Sequence, residues 1–138
     1  MNGIVIDASV ALAWCFPDEA SDYADSVLLA LENETAIVPA IWAVEVANAL
    51  LVGERRKRIR QPEIRRFADL LKNLSVVEDR QPFADTVSNV LPLAREHDLS
   101  AYDAAYLDVA VRHEIPIATL DRVLQRVCNV AGVKAFKM

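Results

Sequence analysis

Gly3-Ile-Val-Ile-Asp7-Ala-Ser9 is the stretch on which the fold turns. Four residues without charge end in an acid, and a small polar residue follows two places later. A short apolar run of this length, with β-branched residues, reads as a strand buried on both faces. Ser9–Cys15 then reads as a short helix stopped near Pro17. The same alternation recurs along the chain. Strands are expected at Ala36–Pro39, Ser75–Glu78, Ile115–Thr119 and Val133–Phe136. Helices are expected at Glu19–Leu31, Ile41–Lys57, from Pro62 onward, Pro82–His97, Ser100–His113 and Asp121–Asn129. Pro92 falls inside one of these helices and is expected to kink or split it. Strands alternating with helices imply an α/β fold, a parallel sheet covered on both faces. In such sheets ligands bind beyond the C-terminal ends of the strands.

The 138 residues form one expected domain, 1–138, with no repeat or linker, and 54% hydrophobic and 25% charged residues exclude a disordered chain. The longest stretch without Asp, Glu, Lys or Arg is ten residues, too short to span a membrane. No basic segment precedes an apolar stretch at the N-terminus, so no secretory signal is expected. Cys15 and Cys128 share no spacing motif and read as reduced thiols of a cytoplasmic protein.

Net charge is −5, unevenly spread. Residues 55–66 hold seven bases and one acid, +6, which leaves −11 for the remainder. Arg55, Arg56, Lys57, Arg58 and Arg60 lead this window. It reads either as a contact for a phosphate backbone or as a solvated helix end.

Asp7 closes the first strand and Asp121 follows the fourth, so both belong to the edge where such folds do chemistry. Each also suits a helix N-cap. Asp103, in Ser100-Ala-Tyr-Asp103, resembles a capping box and opens a helix on the same edge. Tyr102, Ala105, Tyr106 and Val109 read as an apolar core stripe. Glu45 lies within Trp42-Ala-Val-Glu45-Val-Ala-Asn48-Ala-Leu50. An acid in such surroundings is costly to bury unless paired or bound to a metal; otherwise it is exposed on an amphipathic helix.

Asp7-Ala-Ser9, the Pro39-to-Leu50 pattern around Glu45, Ser100-x-Tyr-Asp103 and Ala118-Thr119-Leu-Asp121 together resemble PIN-domain ribonucleases. Length and motif order resemble the VapC toxins of toxin–antitoxin pairs, from Ile4 to Phe136. The resemblance implies a sheet in the order 3-2-1-4-5 and an acidic pocket at its C-terminal edge. It implies Asp7, Glu45, Asp103 and Asp121 as metal-binding acids, with Ser9 and Thr119 as supporting hydroxyls. Asn48 would help hold the pocket. It also implies a homodimer and a small VapB-type antitoxin, with the helices Glu19–Leu31 and Ile41–Lys57 forming its groove. Asp98-Leu-Ser100 departs from the family, which often has Gly there; Asp tolerates a left-handed turn. Asp108 departs too and is expected to face solvent or a partner copy.

Oxygen-only ligands suit Mg²⁺ or Mn²⁺. His97 and His113 read as helix-end or surface residues. Water activated in such a site attacks RNA in line and leaves a 5′-phosphate and a 3′-hydroxyl. An aspartyl-phosphate phosphatase would need an acid where Ser9 stands, and a phospho-receiver would need a late Lys, which is missing between Lys72 and Lys134. A PIN nuclease of RNA maturation, or a PIN domain that binds RNA or protein without catalysis, remain as alternatives.

Overall fold

The computed structural model describes residues 3–138. β1 (Gly3–Ile6), β2 (Thr35–Pro39), β3 (Val76–Asp79) and β4 (Ile117–Ala118) form one all-parallel sheet in the order β3-β2-β1-β4. The expected order holds. The expected fifth strand is reduced to one parallel bridge, Ala135 to Ile117, flanked by hydrogen bonds from Ile117 N to Lys134 O and from Phe136 N to Ile117 O. β4 is only two residues long, and beyond it Thr119 O accepts from the Gln125 side chain in place of a strand partner, so little strand remains for the fifth to pair with.

Among the described residues there are seven helices: α1 (Ala8–Ala13), α2 (Asp22–Ala30), α3 (Ile41–Arg55), α4 (Gln61–Asn73), α5 (Phe83–His97), α6 (Ala101–His113) and α7 (Arg122–Ala131). A 3-10 turn at Pro17–Glu19 separates α1 from α2. β1 is buried at all four positions, and α6 lays Ala104, Leu107 and Val109 into the same core. Both cysteines are free thiols; Cys128 is buried. Among the described residues no helix is long and apolar enough to cross a membrane.

Pro92 does not split its helix. α5 runs unbroken from Phe83 to His97, with Pro92 and Ser88 both on the solvent side. The carbonyl that Pro92 leaves without an N–H therefore faces water, which lowers the cost of the lost bond. Asp98 then caps α5 in the left-handed region at φ +53°, as its side chain allows.

Asp108 does not face solvent. It is 3% exposed and accepts hydrogen bonds from Gln81 Nε2 and Arg112 Nε, both at 3.0 Å. Arg112 also pairs with Asp79 at the end of β3, and His113 Nε2 meets Asp79 at 2.6 Å. Burial alone would raise the Asp79 carboxyl, but the hydrogen bonds from Arg112 and His113 outweigh it and hold it below the usual range. This network fastens the sheet edge to α6.

The basic window is partly spent inside the protein. Arg58 donates to Asp18 and Glu19 at 2.9 Å and lies 4.4 Å above the Phe16 ring. The Glu63 carboxylate accepts from Arg60 N at the start of α4. Phe16 in turn lies against Gly53, where an added Cβ would come within 2.7 Å of the ring. Helix propensity alone favours Ala over Gly by up to about 1 kcal/mol. The clash reverses the sign, because overpacking costs about 1–3 kcal/mol. Gly53→Ala is expected to lower stability in urea denaturation; a gain would show that the Phe16 ring moves aside freely.

Candidate active site

The register of β1 on β4 builds the site. Ile6 pairs with Ala118, so Asp7 and Thr119 leave adjacent strands side by side. Asp7 N donates to Ala118 O at 3.2 Å, which fixes the backbone. The Asp7 side chain caps α1 through Val10 N at 3.4 Å. The Ser9 hydroxyl donates to one Asp7 oxygen and the Thr119 hydroxyl to the other. Ser9 Oγ accepts from Leu120 N at 3.1 Å, and Thr119 Oγ1 accepts from Asp121 N at 3.0 Å. Each hydroxyl thus has its direction set by a backbone N–H.

Asp7 is only 6% exposed, and its hydrogen-bond donors are all neutral. Burial pushes its carboxyl up to about 6, against the lowering effect of those hydrogen bonds; the Asp121 charge adds to the rise. Asp121 caps α7 through Val123 N at 2.8 Å and Leu124 N at 3.1 Å. Asp103 lies in the first turn of α6, whose cap is Ser100 Oγ accepting from Asp103 N at 3.1 Å. Its carboxyl is also raised, by burial first and then by Asp121. The three acids therefore share one field on the C-terminal edge of the sheet.

Glu45 is half-buried in the second turn of α3, just beyond β2. The Tyr106 hydroxyl donates to its Oε1. Burial, then the hydrogen bond to Glu45, raises the Tyr106 phenol far above its usual range, and the Asp7 charge adds to this. Tyr106 stays protonated and holds Glu45 by donating to it. The sequence marks Tyr106 only as core, although its place one turn after Asp103 put it on the same helix face. Asn48 is exposed and makes no side-chain hydrogen bond among the described residues.

The basic window lies apart. Arg55 is ten residues beyond Glu45 on the same helix, about 15 Å along its axis.

The PIN domain family model matches residues 4–130. The chain belongs to the PIN domain family, among its VapC-type members. Ribonuclease VapC3 of Pyrobaculum aerophilum is 32% identical over 122 residues, which cover 88% of this chain and 91% of that relative. The crystal structure of PAE2754 from Pyrobaculum aerophilum superposes with a TM-score of 0.67 at 25% identity, covering 91% of this chain and 78% of that one. The crystal structure of FitAcB from Neisseria gonorrhoeae gives 0.61 at 17% identity, covering 97% and 96%, and speaks for the fold alone.

The donors in this PIN domain fit a hard divalent cation. Buried charges are paired or coordinate metals, and Asp7 has no cationic partner among its hydrogen bonds. Among the described residues no three His, Cys, Asp or Glu side chains form a ready-made cage.

The Asp7 shift has a consequence for the metal-free protein. A carboxyl near 6 when folded and 3.8 when unfolded holds more protons in the folded state across that window. Its contribution to stability therefore falls as pH rises from about 4 to 6, by roughly 3 kcal/mol in total. Asp7→Asn removes this dependence. In chelator, urea midpoints of Asp7→Asn should gain on wild type as pH rises from about 4 to 7; parallel curves would contradict the buried-charge description.

Proposed function

We propose that this PIN domain is a Mg²⁺-dependent endoribonuclease, the toxin of a pair, held inactive in the cytoplasm by a VapB-type antitoxin. The observation that carries the reading is Asp7, a buried acid with only neutral donors in the field of Asp121, which also acts on Asp103, while Tyr106, the partner of Glu45, feels the Asp7 charge. The similarity to Ribonuclease VapC3 supports RNA as the substrate.

Asp7, Glu45 and Asp103 would hold the metal, and Asp121 would hold a second ion or orient water. A bound Mg²⁺ or Mn²⁺ supplies Lewis acidity and lowers the pKa of the attacking water. Ser9 and Thr119 keep both Asp7 oxygens directed by hydrogen bonds. Tyr106 holds Glu45. Attack by water spares the RNA 2′-hydroxyl, so the products are a 5′-phosphate and a 3′-hydroxyl.

A homodimer is part of the proposal. Phe83, Val87 and Leu91 make an exposed stripe along α5 beside Tyr102; Phe83 is 87% exposed. An apolar patch of this kind marks an interaction surface, and a second copy is the occupant that the VapC resemblance implies.

The test is cleavage of total RNA by antitoxin-free protein, with Mg²⁺ and with chelator, beside Asp7→Asn. Discrete 5′-phosphorylated fragments that need Mg²⁺ are expected. Asp7→Asn should slow their appearance about 100-fold or more, equivalent to about 3 kcal/mol of lost transition-state stabilisation. Equal activity in wild type and variant would sink the assignment, and a folded protein that cuts nothing would favour the non-catalytic PIN reading.

A further inference from the structure

The isolated basic window is not the only cationic surface. Arg122 and Arg126 stand one turn apart on the exposed side of α7, and Lys137 faces them from the C-terminal segment. With Tyr23, Gln125 and Asn129 they line an open groove of about 630 Å³. Among the described residues no Asp or Glu side chain lines this groove. Among the described residues none of its three cations pairs with a carboxylate. In a chain of net charge −5, that convergence is a strong local departure.

Both walls are fixed to the sheet. The Tyr23 hydroxyl donates to Phe136 O at 2.8 Å, and the two rings meet edge to face at 6.0 Å. Phe136 N donates to Ile117 O at 2.8 Å. Gln125 Nε2 donates to Thr119 O at 2.8 Å, tying α7 to the residue that holds Asp7. The groove begins where the acid edge ends, because Arg122 directly follows Asp121.

We propose that this groove binds the phosphate backbone of single-stranded RNA and leads it toward Asp121 and Asp7. The proposal rests on the nuclease reading and adds the path of the substrate. Residues four apart on a helix face lie about 5–6 Å from each other, so Arg122 and Arg126 can take neighbouring phosphates of one strand. Guanidinium groups grip phosphate oxygens through paired N–H donors, which a point charge does not. Lys137 supplies a third charge from the opposite wall. The window at 55–66 is less suited to this task. It has spent Arg58 on Asp18 and Glu19 and begins about 15 Å from Glu45.

The experiment measures binding of a labelled single-stranded oligouridylate, about a dozen nucleotides long, by fluorescence anisotropy in chelator across a range of salt. Four proteins are compared: wild type; Arg122→Gln/Arg126→Gln/Lys137→Gln; Arg56→Gln/Lys57→Gln/Arg60→Gln; and a charge-matched control, Lys72→Gln/Arg95→Gln/Lys134→Gln. Each single-strand phosphate contact contributes about 0.7 to the slope of log affinity against log salt. The groove variant should lose about 2 from that slope and bind about 10-fold more weakly at low salt, with the charge-matched control close to wild type. An unchanged slope in the groove variant overturns the proposal, and so does an equal loss in the control, which would show a net-charge effect only. A loss confined to the 56/57/60 variant overturns it as well and returns the contact to that window. Cleavage is scored separately with Mg²⁺. A wild type that cuts RNA while the groove variant binds normally refutes the groove alone. A wild type that binds through the groove and never cuts refutes the nuclease reading alone.

Discussion

Two hydroxyl groups on one buried carboxylate organise this protein's candidate site. Ser9 reaches Asp7 from the first turn of α1, and Thr119 reaches it from the end of β4. The first contact is local, and the second depends on the parallel pairing of Ile6 with Ala118. The sheet register therefore determines where Asp7 points, and the same hydroxyls accept the backbone N–H groups that start the turn into α7. Asp121 is carried into place by that turn. Fold and site are one hydrogen-bonded construction at this edge, since a slip of one residue in β4 would turn Thr119 to the other face.

Acids in this chain divide by what faces them. Asp79 and Asp108 have Arg112 between them and serve the architecture. Asp18 and Glu19 have Arg58. Asp7 is as buried as the first pair yet has only neutral donors, and Asp121 adds like charge both to its field and to that of Asp103. The guanidinium group that faces Asp79 and Asp108 has no counterpart at Asp7. Raised carboxyl pKa values of this kind concentrate at functional sites because acids and bases there are tuned to their chemistry.

Much of this was legible in the sequence, for identifiable reasons. Asp7 and Asp121 are marked by their position at strand-to-helix junctions, which local pattern alone reveals. Glu45 is marked by the cost of an acid among Ala and Val. The sheet order came through the family resemblance; the fourth strand shortened to Ile117–Ala118 and the fifth shrank to one bridge beside it, because Thr119 O turns to the Gln125 side chain. Tyr106 was hidden because a tyrosine in an apolar stripe looks like core, and its body is core; only the hydroxyl does something else. Asp108 was misjudged although Arg112 stands four residues later on the same helix, because Gln81, its other partner, comes from a distant segment that no local pattern reveals. The cations of α7 escaped notice for the opposite reason to the 55–66 window. That window is dense in sequence but scattered in use, whereas Arg122, Arg126 and Lys137 are sparse in sequence and brought together only when the C-terminal segment folds back on Ile117.

The most direct test of the central claim is the anomalous map of a crystal soaked in Mn²⁺. The account requires a manganese peak in contact with the Asp7 carboxylate and with at least one of Glu45, Asp103 or Asp121. A peak elsewhere, with Asp7 still engaged only by Ser9, Thr119 and Val10, would contradict it.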